Sequence, residues 1–520
     1  MDTHGRPSVE WFVEDLQRRG VEWVSTLCGH GLDPFFHAAR QAGLTLVDLR
    51  NEQSAAYVAD AWGRLRRTPG VCAVSSGVAV ANAMAGVLNA HMDGSPMLLL
   101  SGSADITTLG RGAFQDLDQV DLVRPVTKHS RLIDHPSRIL HLLDEAWTAA
   151  TAGPPGPVHL MFPMDVQKAA VTRYELVHAH RTQGQPGPAP DVAPIARALA
   201  ASKRPLLIAG SGVYYSGQGK ALLGFAGEFQ IPVQTPIWDR GIADRDHASF
   251  AGVVGAASGG PKLLAESDCV VLAGAISDYR LGYLEGIAGV HRQDSGWDKI
   301  ASAYRLAGGA PHTEWMGQVR RQQGEFAAAL ESRAASQMRG DRLHSRQVVQ
   351  VLEETLSEDA VLIIDGGSVG QWAHQLLSQR RYPGHWLTCG RSGVVGYGLA
   401  GAMAARLAYP DRAVVLLSGD GAFTFNVAEL ECAARQRLSF VAIVADDQSW
   451  GITQSGHIRQ FGQPISTQLG PIRFDLLAES LGATGVKVES VDALRTELGS
   501  AIRSGAVTVL HVPIAGGNPS

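Results

Sequence analysis

Two carboxylates stand at the ends of apolar runs in the C-terminal third of the chain. Asp420 lies between two glycines at the end of "AVVLLSGDG", and Asp447 ends "FVAIVADD". Carboxylates held close together repel each other, and a divalent cation relieves that repulsion. Hard oxygen ligands favour Mg2+ or Ca2+ over zinc, and Mg2+ commonly binds phosphate as well. The pair predicts a metal site with a phosphate-bearing ligand, whereas Gly-Asp-Gly alone would indicate only a tight turn.

The segment between the two carboxylates has the pattern that brings strand ends together. "AVVLLSGD" and "SFVAIVAD" are typical of buried strands, and the intervening 422–438 has helical spacing, with Phe425 and Leu430 on one side. A strand, a helix and a strand in this order give two parallel strands. Both Asp420 and Asp447 would then emerge at carboxyl ends, where doubly wound sheets bind their ligands.

Strand-like and helical patterns alternate along most of the chain, which predicts an α/β protein. Continuous apolar runs such as "SPMLLLSG" and "AVLIIDGG" suit parallel strands that are covered on both faces by helices. Two polar or helix-breaking stretches, 181–192 and 320–345, divide the chain. We therefore expect three doubly wound parallel-sheet domains, at 1–172, 193–318 and 345–513.

The composition fits a large globular protein and argues against several partners. The 520 residues are 45% hydrophobic and 18% charged, with a net charge of −5, which speaks against nucleic acid or an anionic membrane as a partner. The N-terminal "MDTHGRPSVEWF" has no secretory pattern, and no apolar stretch is typical of a membrane span. Because the five cysteines are scattered and odd in number, we expect a cytoplasmic protein.

The metal motif resembles that of thiamine-diphosphate-dependent enzymes, in which Gly-Asp-Gly is followed by Asn-Asn. Here Gly-Asp-Gly at 419–421 is followed by Asp-Asp at 446–447. The downstream "DQSWG" is similar to the acetohydroxyacid synthase, benzaldehyde lyase and oxalyl-CoA decarboxylase group. The resemblance implies that Asp420, Asp447 and the carbonyl of Ser449 hold Mg2+, which grips the diphosphate. Asp-Asp in place of Asn-Asn adds a negative charge beside that diphosphate.

The first block resembles the same family around its catalytic glutamate. "DLRNEQSAAYVADAWGRL" matches that stretch and makes Glu52 the catalytic acid, hydrogen-bonded to the aminopyrimidine ring of the cofactor, in surroundings that would desolvate the carboxylate. "GAFQDLDQV" resembles a loop whose Gln, here Gln115, contacts substrate. "CGHGLDPFF" resembles the first active-site turn, with His30 as an acid/base or substrate contact. From the residues alone, Glu52 could also be a helix-start residue and His30 a structural one.

Two glycine-rich turns resemble further cofactor contacts of the family. "DGGSVGQWAHQ" is similar to a diphosphate loop, since a glycine-rich turn entering a helix offers N–H groups to phosphate oxygens. "GRSGVVGYGLAGAMAA" resembles the turn beneath the bent cofactor, where Val395 takes the place of a bulkier residue. Near residue 77, "SGVAVAN" replaces the Gly-Pro-Gly of the family. Besides Glu52, the resemblance implies these cofactor-binding residues: Gly367, Ser368, Gly393, Val395, Gly419, Asp420, Gly421, Ala422 and Trp450.

The middle block is typical of a nucleotide-binding half-fold. Gly210, Gly212 and Gly274 follow strand-like runs, and relatives such as acetohydroxyacid synthase bind FAD in this domain. The block lacks the Gly-x-Gly-x-x-Gly fingerprint with a downstream acid, and 283–318 lacks a further strand. We therefore expect a spacer domain that does not bind FAD.

The resemblance implies a thiamine-diphosphate- and Mg2+-dependent carboligase or lyase that acts on 2-oxo acids in the manner of acetolactate synthase. A 2-oxo acid would lose CO2 to give an enamine, which then forms a C–C bond. The alternatives are a simple 2-oxo acid decarboxylase, a benzaldehyde-lyase-like hydroxyketone lyase and a catalytically inactive member. A nicotinamide or flavin oxidoreductase built on the middle block is a further class.

The resemblance also implies self-association as a homodimer or homotetramer. The active sites of the family form between chains, with the Glu52 block of one chain facing the Asp420 block of its mate. The segment "GITQSGHIRQFGQPIST" after the metal motif is expected to form a mobile lid. There Trp450, Gln454 and His457 would shape the acceptor pocket, although a solvated loop is an equal interpretation for Gln454 and His457.

Overall fold

The computed structural model confirms the predicted fold class of parallel sheets covered by helices. The part of the chain that it describes comprises residues 5–177, 190–239, 241–242, 246–255, 262–338, 342–377 and 383–519. Most of the linker predicted at 181–192 lies outside these residues. None of the helices in the described ranges has the length and apolar character needed to span a bilayer.

The N-terminal segment folds around a parallel sheet. Its strands are β1 (Arg6–Pro7), β2 (Trp23–Leu27), β3 (Thr45–Asp48), β4 (Gly70–Val74), β5 (Met97–Ser103), β6 (His129–Leu132), β7 (Pro157–Pro163) and β8 (Ala170–Val171). The sheet has the strand order β3-β2-β4-β5-β7-β6, while β1 and β8 pair as an antiparallel ribbon.

Helices follow most of these strands, as βαβ connections require. They are α1 (Ser8–Arg18), α2 (Asp33–Gln41), α3 (Glu52–Arg66), α4 (Val78–Asp93), α5 (Gln119–Val123), α6 (Ile139–Thr151) and α7 (Met164–Lys168). One apolar core lies between the sheet and α1, α2 and α6, and in it the rings of Phe12 and Phe162 pack with centroids 5.2 Å apart.

The central segment has its own parallel sheet. Its strands are β9 (Pro205–Ala209), β10 (Val233–Pro236), β11 (Phe250–Val254), β12 (Cys269–Ala273) and β13 (Val290–Arg292), in the order β11-β10-β9-β12-β13. Its helices are α8 (Ala193–Ala201), α9 (Ser211–Tyr215), α10 (Gly219–Phe229), α11 (Leu263–Glu266), α12 (Trp297–Leu306) and α13 (Thr313–Gln337). Leu207 and Val271 face one apolar core and Leu206 and Val270 face another, so the strands are buried on both faces.

The C-terminal segment supplies the third parallel sheet. Its strands are β14 (Leu343–His344), β15 (Val361–Asp365), β16 (Trp386–Thr388), β17 (Val414–Gly419), β18 (Val441–Asp446), β19 (Thr484–Lys487) and β20 (Thr508–Ala515). The order is β14-β20-β18-β17-β15-β16, and β19 also pairs with β20. The helices are α14 (Ser345–Thr355), α15 (Gly367–Leu376), α16 (Gly398–Ala408), α17 (Asp420–Thr424), α18 (Glu429–Arg435), α19 (Gly451–Phe461), α20 (Phe474–Ser480) and α21 (Val491–Ser504).

The chain divides into two compact units. The first comprises Met1–Gln185, Gly390–Pro410 and Asn426–Leu438, and the second comprises Pro186–Cys389, Asp411–Phe425 and Ser439–Ser520. Within the first unit α16 packs along α3, where the rings of Tyr57 and Tyr397 meet edge to face at 5.6 Å. Each unit is described by itself below.

One local prediction differs from the structure. The helix predicted over 422–438 is two short helices, α17 and α18, because the chain turns at Asn426, whose side chain donates to the carbonyl of Gly396. Phe425 and Leu430, which were predicted on one side of a single helix, consequently differ in burial: Phe425 is 54% exposed and Leu430 is buried. The expected lid contains helix α19, none of whose residues is buried.

Candidate active site

The C-terminal sheet brings the two acidic strand ends side by side. Strands β17 and β18 are parallel neighbours, and Gly419 lies opposite Ala445 in their register. The next residues, Asp420 and Asp446, therefore leave the same edge of the sheet, followed at once by Asp447. Asp420 is the first residue of α17 and is 5% exposed.

The electrostatics at this edge favour a cation. Burial raises the pKa of Asp420, and the charge of Asp447 raises it further. Burial also raises the pKa of Asp447, although hydrogen bonds from Ser449 and Ser368 oppose that shift. Two buried carboxylates with raised pKa values are stabilised in their charged forms when a positive ion lies between them.

The available ligands suit Mg2+ that is completed by a phosphate, and they do not form a metal site from side chains alone. Across the described ranges, no cluster of three or more His, Cys, Asp or Glu side chains could hold a metal ion by itself. An ion at Asp420 and Asp447 would therefore need further oxygens, from a main-chain carbonyl such as that of Ser449 and from a phosphate. Mg2+ is bound in this way, by one or two carboxylates together with substrate phosphates.

A glycine turn packs closely beside the two acids and leads into a helix. Gly366 and Gly367 have φ angles of 64° and 74°, which favour glycine, and a Cβ on Gly367 would lie 2.9 Å from the Cα of Gly419. Helix α15 begins at Gly367 with no side-chain cap, so its first N–H groups are free to meet an anion. Its second residue, Ser368, donates through Oγ to Oδ2 of Asp447 at 3.1 Å.

Trp450 closes over the turn that follows Asp420. A Cβ on Gly421 would lie 2.8 Å from the indole ring, so the ring rests directly on the glycine. The ring of Phe425 also contacts the indole edge to face, with centroids 6.0 Å apart. Ala422 lies beside Gly366, whose Cβ would be 3.0 Å away. The predicted cofactor contacts of the second unit are thus grouped around the acidic pair.

Glu52 occupies the start of α3 in the first unit and is not the residue that caps it. The capping residue is Asn51, whose side chain accepts a hydrogen bond from the N–H of Ser54 at 2.8 Å. Glu52 is 8% exposed, and its Oε2 accepts a hydrogen bond from Nδ2 of Asn82 at 3.1 Å. Since Asn51 performs the structural task, the carboxylate of Glu52 is left for another role.

Asn426 connects this helix start to the turn that contains Gly393 and Val395. Nδ2 of Asn51 donates to Oδ1 of Asn426, and Nδ2 of Asn426 donates to the carbonyl of Gly396, both at 2.9 Å. The sequence interpretation did not single out Asn426. The available signal was an amide within an otherwise apolar stretch that follows Gly-Asp-Gly.

The structure also brings His30 and Gln115 together. Oε1 of Gln115 accepts a hydrogen bond from Oγ of Ser76 at 2.9 Å, and Oγ of Ser75 donates to the carbonyl of His30 at 2.7 Å. The exposed imidazole of His30 meets the ring of Phe114 edge to face at 5.4 Å. Gln115 has a φ of 56°, an unusual value for a non-glycine residue. The two serines, which the sequence interpretation missed, fix both predicted residues.

The other two residues predicted near the acceptor pocket lie on α19. Oε1 of Gln454 accepts a hydrogen bond from Oγ1 of Thr467 at 3.1 Å, which ties the helix to the following loop. His457 contacts the ring of Phe461, with centroids 5.9 Å apart. Neither contact involves the acidic pair.

In the central domain the glycines pack against the protein's own backbone. A Cβ on Gly212 would lie 2.8 Å from the Cα of Gly274, so the two turns touch. The carboxylate of Asp239 accepts from the N–H of Ser211 at 2.9 Å and pairs with the buried guanidinium of Arg280. This acid stands where a nucleotide phosphate would meet the start of the helix.

An acidic pair at adjacent strand ends, next to an uncapped glycine-rich helix start, is an arrangement with which an α/β protein can bind a phosphate group through a metal ion. Three family models identify the class of enzyme. Residues 8–122 match the family model "Thiamine pyrophosphate enzyme, N-terminal TPP binding domain", 192–288 match the central domain of that enzyme, and 365–512 match its C-terminal TPP binding domain. The chain belongs to the thiamine pyrophosphate enzyme family.

The named relatives of the chain share one general reaction class. "Probable acetolactate synthase" of Mycobacterium bovis is 30% identical over 96% of this chain and 94% of its own length. "2-hydroxyacyl-CoA lyase 2" is 29% identical in Caenorhabditis elegans, over 95% of this chain and 87% of that protein, and 30% identical in Homo sapiens, over 91% and 83%. The protein is therefore an enzyme that forms or breaks C–C bonds.

Proposed function

We propose that the protein is a thiamine-diphosphate- and Mg2+-dependent carboligase or lyase that acts on 2-oxo acids in the manner of acetolactate synthase. The observation that carries this proposal is the pairing of Asp420 with Asp447 beside the uncapped start of α15, within a chain whose N- and C-terminal segments match thiamine-pyrophosphate-binding domains. The likeness to a named acetolactate synthase supports the 2-oxo acid class.

The second unit would hold the charged end of the cofactor. Asp420, Asp447 and the carbonyl of Ser449 would bind Mg2+, and the first N–H groups of α15 would bind phosphate oxygens. Thiamine diphosphate, when bound, supplies the carbon nucleophile that makes or breaks a bond beside a carbonyl group. Trp450 would shield this end from water, since its indole already rests on the turn after Asp420.

Glu52 would hold and move the proton that the cofactor ring needs. Its Oε2 is engaged by Asn82, so Oε1 is the oxygen through which it would exchange a proton. Because the side chain is almost fully buried, a hydrogen bond from this carboxyl group to a ring nitrogen would be strong and water would not compete for it.

Gln115 and His30 would receive the substrate. Since Oε1 of Gln115 is used by Ser76, its amide N–H groups are left to donate to a carbonyl or carboxylate of a 2-oxo acid. His30 is exposed and held through its carbonyl, so its imidazole is placed to give or take a proton on the solvent side. If His30 gave a proton to the carbon that has lost CO2 before an acceptor bound, the enzyme would be a simple decarboxylase.

Cleavage of a 2-hydroxyacyl thioester is the second candidate. The named lyases of C. elegans and H. sapiens support it. Helix α19 also presents apolar side chains to solvent, with Ile458 48% and Phe461 53% exposed. Such a surface suits an acyl chain more than it suits a small, polar 2-oxo acid.

A substrate panel separates these activities. The purified chain is incubated with thiamine diphosphate, Mg2+ and, in turn, short 2-oxo acids, a hydroxyketone and a 2-hydroxyacyl-CoA, and CO2 and product masses are followed. We expect a 2-oxo acid to release CO2 and give a hydroxyketone product. CO2 with an aldehyde would indicate a decarboxylase, and an aldehyde without CO2 from the thioester would indicate the lyase. No product with any substrate, despite bound cofactor, would contradict the proposed activity.

The central domain would take no flavin or nicotinamide. Asp239 already accepts from the N–H of Ser211 and pairs with Arg280, and a second anion at this helix start would meet its negative charge. We therefore retain thiamine diphosphate and Mg2+ as the proposed cofactors.

Self-association would complete the active site, and subunit mixing tests it. Helix α4 presents Val78 (57% exposed) and Leu88 (38% exposed) to solvent, an apolar surface that suits a second copy.

We expect Glu52→Gln and Asp420→Asn chains, each inactive alone, to regain activity when co-expressed. Random pairing would make half of the dimers mixed, each with one intact site, so about a quarter of wild-type activity should return. If Glu52 and Asp420 act within one chain, no activity returns.

A further inference from the structure

One face of helix α4 packs against α3 inside the first unit. Four residues of α4 recur at the spacing of a single helix face: Asn82, Gly86, Asn89 and Asp93. A Cβ on Gly86 would collide with the Cβ of Ala56 in α3, so the two helices touch along this face. Asn82 engages Glu52 at one end of it. The two polar residues further along, Asn89 and Asp93, have no part in the roles described above.

A buried cluster of polar side chains fills the far end of this face. Nε of Arg64 donates to Oδ1 of Asp60 at 2.9 Å, and Nη1 of Arg64 lies 2.9 Å from Oδ2 of Asp93. Nδ2 of Asn89 donates to Oδ2 of Asp60 at 2.8 Å, and all four side chains are buried. Burial raises the pKa of Asp60, and the guanidinium of Arg64 opposes that shift. Because each buried polar group here depends on its partners, the cluster fixes the geometry of the two helices.

The same cluster binds the beginning of the turn at 390–396. Oδ1 of Asp93 accepts a hydrogen bond from the N–H of Arg391 at 3.3 Å. Oγ of Ser392 donates to Oδ1 of Asn89. Both α4 residues therefore have one oxygen that bonds to the turn, and a further polar atom that meets a residue of α3.

The far end of the turn is also bound, whereas its middle is open. Nδ2 of Asn426 donates to the carbonyl of Gly396 at 2.9 Å. Gly393 is exposed, and a Cβ at this position would meet no atom of the described residues within 4 Å. A turn that is bound at both ends and open in the middle presents Gly393 and Val395 as a fixed surface.

We propose that Asn89 and Asp93 are positioning residues for the cofactor ring, which hold the 390–396 turn at a fixed place relative to Glu52. Since Glu52 lies on α3 and its partner Asn82 lies on α4, the cluster ties the acid and the turn to the same pair of helices. This inference rests on the proposed function, because it presupposes that the turn lies beneath the ring of thiamine diphosphate. The distance between an acid and the ring that it serves is what such a frame controls.

Two substitutions release the turn from the cluster. Ser392→Ala removes the hydroxyl that bonds to Asn89 and leaves the cluster itself paired. Asn89→Ala is the stronger change, since it also removes the donor to Asp60. Ser25→Ala is the matched control. Oγ of Ser25, a buried hydroxyl outside the cluster, donates to the carbonyl of Ala55 in α3 at 2.7 Å, so its loss affects the same helix without releasing the turn.

Calorimetry with two ligands separates the ring from the diphosphate. The Kd of thiamine diphosphate and the Kd of inorganic pyrophosphate are measured in saturating Mg2+, together with kcat and the melting temperature. We expect Ser392→Ala and Asn89→Ala to raise the Kd of thiamine diphosphate about 5–10-fold and to lower kcat about 10-fold. The Kd of pyrophosphate should stay within about twofold of the wild type, because this ligand has no ring. Ser25→Ala should lower the melting temperature without changing either Kd or kcat.

Each outcome decides the inference. Equal loss of affinity for both ligands, or wild-type affinity and kcat in both variants, would overturn it. Loss of thiamine diphosphate affinity in Ser25→Ala would also overturn it, since ordinary destabilisation would then explain the effect. If Asn89→Ala does not fold, Ser392→Ala decides on the same measurements. A wild type that binds both ligands but converts no substrate refutes the proposed activity alone, and the two Kd values still test the inference. A wild type that does not bind thiamine diphosphate with Mg2+ refutes both.

Discussion

Glu52→Gln should reduce kcat about 10²–10⁴-fold while thiamine diphosphate still binds, because the change removes a transferable proton and little else. Gln has nearly the shape of Glu, and its carbonyl oxygen can accept the hydrogen bond from Asn82 that Oε2 of Glu52 accepts. Asn51 continues to cap α3. The fold and the pocket should therefore survive, and only the acid function is lost.

The measurement needs both turnover and binding. Steady-state kinetics on the active substrate gives kcat, and calorimetry with Mg2+ gives the Kd of thiamine diphosphate. Glu22→Gln is a matched control, since Glu22 is an exposed acid of the same unit, and it should retain wild-type values. Wild-type turnover by Glu52→Gln would refute the assigned role, and loss of cofactor binding would make Glu52 a binding residue instead of an acid.

Asn82→Ala should show an intermediate effect. The change removes the donor that engages Oε2 of Glu52 but leaves the carboxyl group itself, so kcat should fall less than in Glu52→Gln. A smaller loss of kcat in Asn82→Ala than in Glu52→Gln would identify Asn82 as the residue that positions the acid and Glu52 as the one that transfers the proton.

The sequence was sufficient to predict those parts of the fold and the site that follow from local sequence patterns. A strand, a helix and a strand bring two carboxyl ends to one edge of a parallel sheet, and this is how Asp420 and the Asp446–Asp447 pair come to be neighbours. The continuous apolar strands predicted sheets covered on both faces, and the alternation of Leu206 and Leu207 between two cores shows such cover.

Contacts between distant parts of the chain could not be predicted. Asn426 joins Asn51, 375 positions earlier in the chain, to the Gly396 turn, and no local pattern encodes that distance. The same bonds explain the error over 422–438, since helical spacing alone could not show that the chain turns at Asn426. His511 was visible as a lone His in an apolar strand, but its acid partners come from two other elements.

Buried charged residues could not be predicted from the sequence either. Arg64, in the polar-looking end of α3, is 1% exposed and pairs with Asp60 and Asp93 at 2.9 Å each. Hydropathy patterns place such residues at the surface. These charged residues are buried because α16 packs along α3. In that packing Arg64 also lies over the ring of Tyr397.

Asp420→Asn should change cofactor affinity and stability of the cofactor-free chain in opposite directions. Removing one of two acidic ligands should weaken Mg2+-dependent binding of thiamine diphosphate about 10²–10³-fold, since a metal contact to phosphate is worth several kcal/mol. Removing a buried, repelling charge should at the same time raise the melting temperature of the cofactor-free chain by about 2–4 °C. A variant whose fold is damaged would instead lose both cofactor affinity and melting temperature.

The stability difference should depend on pH in a defined direction. Burial and the charge of Asp447 raise the pKa of Asp420 above its ordinary value of 3.8, so the folded chain holds this proton more tightly than the unfolded chain. The stabilisation by that proton is therefore full at low pH and is lost as the pH rises from 3.8 through the raised value. Without cofactor, the wild type should melt below Asp420→Asn at both pH 5 and pH 8, and the difference should be larger at pH 8.

Thermal unfolding of both chains at the two pH values, with and without Mg2+ and thiamine diphosphate, measures all of these effects. Asp411→Asn is the control, because Asp411 is exposed at the start of the same strand region and should follow the wild type throughout. Adding the cofactor should stabilise the wild type and the control more than Asp420→Asn, since only they keep the full ligand pair. If Asp420→Asn gained the same stabilisation from the cofactor as the wild type, the ion would have to bind elsewhere, and the raised pKa of Asp420 would be no more than a consequence of its burial.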